Sequence, residues 1–102
     1  MARSIIAGGN ERRCWICEKL GYETTRNLEK HHIIYGRGRR DLSEHWGLHV
    51  KLCYIHHGDS KHGVHRGNTE WNRILKETAQ RAFEEQKGTR EEFMRIFGEN
   101  YL

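Results

Sequence analysis

No stretch of this chain approaches the roughly 20 consecutive apolar residues that a helix needs to cross a bilayer. Its opening, MARSIIAGG, also lacks an apolar run of signal-peptide length. The expectation is a soluble, cytoplasmic protein with no membrane partner. Cysteine is scarce as well, with three in 102 residues, and three cannot all pair with one another. Two of them stand as Cys14-Trp15-Ile16-Cys17 in a chain that carries eight histidines. That pattern fits metal ligation better than a disulfide framework and implies a reducing compartment. Apolar residues are few, at 35% of the chain, with a mean hydropathy of −0.95. The length suits one small domain with a modest core, so a metal cross-link would add stability that packing alone does not supply.

What the chain has in excess is positive charge. Lysine and arginine outnumber the acidic residues by 18 to 14, for a formal charge of +4 and a pI near 9.2. This balance suits a polyanionic partner rather than an acidic one. It is concentrated at Arg37-Gly38-Arg39-Arg40, three guanidinium groups in a glycine-containing loop that can lie along phosphates. The plainer reading of the same run is a solvated basic loop.

Taken in order, residues 1–13 show no sustained period and are expected to form a flexible or lightly docked arm, leaving 14–102 as the domain proper. Cys14 to Cys17 then makes a knuckle-like turn with both sulfurs on one side. The β-branched and aromatic content of Leu28–Tyr35 predicts a short strand, ended by Gly36 and Gly38. Asp41 caps one expected helical turn, and Gly47 ends it. Leu48 to Cys53 alternates apolar and polar residues, as a half-buried strand does. The two strands pair as an antiparallel hairpin, followed by a helical turn and loop through Gly67. Trp71, Ile74, Leu75, Thr78, Ala79, Ala82 and Phe83 recur at helical spacing. That helix is capped by Asn68 or Thr69, with Gly88 as the left-handed residue at its end. A capping box, Thr89-x-x-Glu92, opens a shorter helix carrying Phe93, Ile96 and Phe97 up to Gly98. The class is therefore α+β, a small zinc-stabilised hairpin with C-terminal helices.

Two ligand pairs with equal spacing, Cys14-x2-Cys17 and Cys53-x2-His56, are separated by 35 residues. Four such ligands make a closed tetrahedral Zn²⁺ site of the structural kind. His57, next in sequence, is an alternative to His56. His31, His32, His49, His57, His62 and His65 remain. His31 and His32 are neighbours on an expected strand, so their side chains point to opposite sides. One can ligate a metal while the other faces a substrate as a base.

The order CxxC, then HHI, then a strand ending in LC, then HH with further histidines and a GVH turn, resembles the HNH endonucleases, whose fold is the ββα-metal or His-Me finger. The similarity runs from about Cys14 to the C-terminus and is closest to small phage-type members. It implies a metal-dependent DNA endonuclease that hydrolyses phosphodiester bonds, in phage or prophage DNA processing or recombination. It further implies His32 as the general base and His31, His57 and His65 as ligands of a catalytic Mg²⁺ or other divalent ion. His62 is an alternative to His65. The middle asparagine of the family pattern is missing, since none occurs between Asn27 and Asn68. His49 on the second strand, or Asn68, is the candidate to replace it. DNA is the implied partner, met through Arg37, Arg39 and Arg40, with a phage or recombination protein as a further one. The competing expectations are a non-catalytic zinc-stabilised DNA-binding module and a zinc-stabilised interaction domain.

Overall fold

The computed structural model describes residues 3–102. Strands β1 (Leu28–His32) and β2 (His49–Cys53) pair antiparallel, with Leu28 opposite Cys53, His31 opposite Val50 and His32 opposite His49. Helix α1 (Trp15–Lys19) precedes the sheet, α2 (Arg39–Trp46) fills the connection between the strands, and α3 (Tyr54–His57) follows β2 directly. The long helix α4 (Thr69–Gln86) and then α5 (Arg90–Phe97) close the chain. None of the described helices is long and apolar enough to cross a membrane.

Strand β1 ends at His32, three residues short of the expected Tyr35. Ile33 N–H still donates to the Leu48 carbonyl at 3.0 Å. Ile34 instead exchanges both its backbone groups with one side chain, its N–H donating to Ser43 Oγ at 3.1 Å and its carbonyl accepting from that hydroxyl at 2.6 Å. A buried serine of α2 thus replaces the missing ladder partner. Helix α2 is longer than one turn. It starts at Arg39, after Gly38 in the left-handed region at φ 76°, so Asp41 lies inside its first turn rather than capping it. Arg39 and Arg40 are accordingly helical, and only Arg37 keeps the expected loop position. Gly47 ends the helix at φ 75°, as expected.

Of the expected arm, Met1 and Ala2 lie outside the described residues, and the segment of residues 4–9 is docked on the domain, while residues 10–12 are exposed. Ile5 N–H donates to the Gly47 carbonyl at 2.9 Å, Ser4 Oγ donates to the His49 carbonyl at 2.6 Å, and Trp15 Nε1 donates to the Ala7 carbonyl at 2.9 Å. Ile6 is buried in the core. The arm covers β2 at its His49 end, while Cys53 at the other end is enclosed with Cys14, Cys17 and His56. The strand is therefore not half-buried: His49, Val50, Leu52 and Cys53 are all buried, with only Lys51 intermediate.

The core joins Ile16, Ile33, Ile34, Leu48, Val50 and Leu52 to Leu75, Ala79 and Phe83 of α4 and to Phe93 and Phe97 of α5. Asn68 Oδ1 caps α4 by accepting from Trp71 N–H at 3.1 Å. Thr89 and Glu92 form the full capping box of α5, and Gly98 ends that helix at φ 82°. Gly88 plays a different part from the expected one. Helix α4 ends with Lys87 as its cap, and Gly88 is not left-handed. It answers to space: a Cβ there would lie 2.9 Å from the Glu92 carboxylate of the capping box and 3.3 Å from the Phe83 ring.

At Gly47 the left-handed backbone and the docked arm coincide, since a Cβ would collide with the Arg3 carbonyl. Gly47→Ala should therefore cost about 2 kcal/mol or more and speed hydrogen exchange across the docked arm. Thr89→Ala should cost about 1 kcal/mol and leave the arm's exchange unchanged. Urea unfolding with amide exchange on both variants checks the pair.

Candidate metal centres and the adjoining cleft

Cys14 is the N-cap of α1, and Cys17 N–H turns back to donate to Cys14 Sγ at 3.4 Å. The CxxC turn is thus the opening of a short helix. Cys53 ends β2 and caps α3, which carries His56 one turn on. His56 Nδ1 lies 3.7 Å from Cys14 Sγ and 3.4 Å from both Cys17 Sγ and Cys53 Sγ, and those last two sulfurs are 3.8 Å apart. A tetrahedral zinc with bonds of about 2.3 Å to sulfur and about 2.0–2.1 Å to nitrogen has S···S edges of about 3.8 Å and S···N edges of about 3.6 Å. The four ligand atoms fit such an ion. All three cysteines are buried. Burial pushes the Cys14 thiol up to about 12, so a thiolate there needs a cation to offset its desolvation. Burial also pushes His56 below its ordinary value, which keeps the ring neutral as a ligand must be.

A second cluster forms on the other side of α3. His31, His57 and His65 bring one ring nitrogen each within 4.8 Å of the others. The His31 ring centroid lies 5.2 Å from that of His57 and 4.9 Å from that of His65. Backbone bonds from Val64 N–H to the His56 carbonyl and from His65 N–H to the His57 carbonyl fold the glycine turn back over α3. Gly63 permits this, because a Cβ there would meet Asp59 backbone at 2.6 Å. His31 is 1% exposed, and neither of its ring nitrogens has a hydrogen-bond partner. Leaving a buried polar group unpaired costs about 1–3 kcal/mol. Burial first, then the neighbouring His65 and His57, drive His31 down to about 2. It is therefore a neutral ring with a free lone pair. His57 Nδ1 lies 3.0 Å from Glu29 Oε1, which leaves Nε2 to face His65 Nε2 at 3.1 Å. A carboxylate behind a ligating histidine is a common support of metal sites. The three rings fit a divalent ion.

His32 is next to His31 but belongs to the other face. Its Nε2 is 2.7 Å from Glu44 Oε1 of α2, and Lys30 Nζ reaches the same oxygen at 3.1 Å. The bond from His32, followed by those from Lys30, holds the Glu44 carboxyl down to about 2. His49, directly opposite on β2, sets its ring edge-on with centroids 6.0 Å apart. A cleft of about 280 Å³ is lined by Lys30, His32, Tyr35, Arg40, His57 and His65. A wider groove of about 700 Å³ lies between the docked arm and α4, away from both clusters.

The structure thus brings Cys14, Cys17, Cys53 and His56 together, and separately His31, His57 and His65. His62 falls outside, paired with Asp59 at 3.1 Å, and His45 packs on Trp46. Asn68 is occupied as a cap, its amide donating to the His62 carbonyl, whereas His49 stands beside His32. Of the three arginines, Arg40 lines the cleft, Arg37 is exposed, and Arg39 lies 4.0 Å from Glu99. Sequence reasoning missed Lys30, Tyr35, Glu29 and Glu44. Lys30 was within reach, because a period of two places it on the face of His32. Glu44 was not, since its place depends on how α2 packs. No family model, curated protein or solved structure matches this chain.

His31→Leu should keep the thiolate-bound ion, lose a second equivalent of divalent ion in calorimetric titration, and fold at least as stably as the wild type without that second ion. The unfolded chain takes a proton at His31 near 6.5, whereas the folded chain refuses it down to about 2. Its contribution is therefore present above 6.5 and lost as pH falls toward 2, and urea midpoints of His31→Leu should fall less steeply over that window. Cys53→Ser should abolish the thiolate-to-metal absorption of the Co²⁺-substituted protein and lower its unfolding midpoint.

Proposed function

We propose that this chain is a metal-dependent DNA endonuclease of the HNH class, with a ββα-metal site built on β1, β2 and the turn after α3. The observation that carries the reading is the pair His31-His32. One buried ring faces two further histidines with its nitrogens unpaired, and the next ring lines a cleft with Lys30 and Arg40. A zinc held by Cys14, Cys17, Cys53 and His56 would tie α1 to the end of β2 and so keep the strand register.

In this reading a DNA phosphodiester enters the cleft, where Lys30 and Arg40 place positive charge beside the phosphate. His32 takes a proton from a water molecule, the water oxygen bonds to phosphorus, and the bond from phosphorus to the 3′ oxygen breaks. The departing oxygen gains a proton from solvent, leaving 5′-phosphate and 3′-hydroxyl ends. His31, His57 and His65 would hold a divalent ion such as Mg²⁺, and the chemistry such an ion supplies is stabilisation of charge on the phosphate and the leaving oxygen. Three imidazoles bind softer ions than Mg²⁺ more tightly, so Mn²⁺ or Ni²⁺ should support cleavage well. His49 takes the place of the family's asparagine beside the base. Arg37 and Arg40 extend the contact along the backbone, which favours modest sequence preference.

Plasmid and single-stranded DNA incubated with Mg²⁺, Mn²⁺ and Ni²⁺ in turn test the reading. Nicking should require the divalent ion and fall by about 10²-fold or more in His32→Ala, with the fold and thiolate-bound metal retained. Salt-dependent DNA binding with no cleavage under any ion would leave a zinc-stabilised DNA-binding module instead.

A further inference from the structure

We propose that Glu44 is a positioning residue that holds His32 in its Nε2–H tautomer, so that Nδ1 is the atom left open to accept a proton in the cleft. The source of that proton rests on the nuclease reading, whereas the tautomer follows from the packing of α2 against β1. Glu44 Oε1 lies 2.7 Å from His32 Nε2 and 3.1 Å from Lys30 Nζ, and its Oε2 lies 3.4 Å from the same ammonium. An ionised carboxylate has only acceptors and an ammonium only donors. Both contacts at Oε1 must then be donated to it, one by Lys30 and the other by a hydrogen on His32 Nε2. A neutral imidazole has a single N–H, so the lone pair is on Nδ1. Among the described residues nothing hydrogen-bonds that second nitrogen, and the ring lines the cleft.

Proton transfer is thereby confined to one ring nitrogen. When water gives up its proton, the new bond forms at Nδ1 and the Nε2–H bond is kept. The positive charge that appears on the ring then lies against the Glu44 carboxylate, which is already in place and need not move. Lys30, on the same face of β1 as His32, anchors that carboxylate from the other side. A carboxylate that merely filled space would not select between the two ring nitrogens.

The test uses the full chain with its thiolate site zinc-loaded and its histidines ¹⁵N-labelled. Long-range ¹H–¹⁵N correlation spectra, at a pH where the neutral ring dominates, should show His32 as the Nε2–H form. In Glu44→Ala that signature should give way to the Nδ1–H form or to a mixture, with the amide spectrum and zinc content preserved. On plasmid DNA, kcat should drop by about tenfold or more with KM changed less than about twofold, and Glu44→Asp should recover part of the loss. A wild-type His32 in the Nδ1–H form overturns the proposal, and so does a folded Glu44→Ala that keeps both tautomer and kcat. If the spectra behave as expected while the wild type cleaves nothing, the nuclease reading fails and Nδ1 remains the open acceptor.

Discussion

Everything in this chain depends on the register between β1 and β2. With His32 opposite His49 and Leu28 opposite Cys53, the two ends of a five-residue ladder carry two different kinds of chemistry. A slip of one residue would send His31 to the face of His32 and turn Cys53 away from Cys17. So short a ladder is weak by itself. Its register is held from outside, by Ser43 bonded to Ile34, by the arm bonded to Gly47 and His49, and by the cysteine cluster at the far end. A metal ion among those sulfurs would act on the same register.

The two histidine-containing clusters spend burial in opposite ways. Around Cys14, Cys17 and Cys53 the sulfurs are enclosed, and with His56 the chain would supply all four ligands of a tetrahedral ion. Around His31 the enclosure is partial: His31 is buried, but His65 is exposed and the neighbouring cleft is open. A closed set of four suits a fixed structural ion, and an open set of three leaves coordination positions free for other ligands. The unpaired nitrogens of His31 are a local destabilisation within a small polar domain. Such a cost is tolerated where a ligand repays it.

Much of this was legible in the residues. The paired spacing of Cys14-Cys17 and Cys53-His56 identified one cluster, and the period of two separated His31 from His32. Helix α4 and the capping box of α5 followed from apolar spacing and cap chemistry. What escaped was set by packing between elements distant in sequence. The docking of residues 3–9 buried the His49 end of β2 and the cysteine cluster its other end, Ser43 cut β1 short, and Gly38 let α2 begin early enough to take in Arg39 and Arg40. Gly88 was misread because a glycine after a helix usually means a left-handed cap, whereas here it makes room for a carboxylate from the next helix.

The missed glutamates share one physical role with opposite outcomes. Glu29 contacts His57 at Nδ1, and Glu44 contacts His32 at Nε2. In each case a carboxylate oxygen stands at hydrogen-bond distance from one ring nitrogen, and where it takes the ring N–H the other nitrogen is left as the electron donor. At His57 the nitrogen so exposed is Nε2, aimed at His31 and His65, where an ion can be held. At His32 it is Nδ1, on a ring that lines the cleft. Which nitrogen each ring can offer is therefore set less by the histidines, which are chemically alike, than by which nitrogen a neighbouring carboxylate occupies. A motif of histidines alone does not carry that information. It resides in Glu29, in sequence register with the strand, and in Glu44, brought in by a helix twelve residues away from the ring it orients.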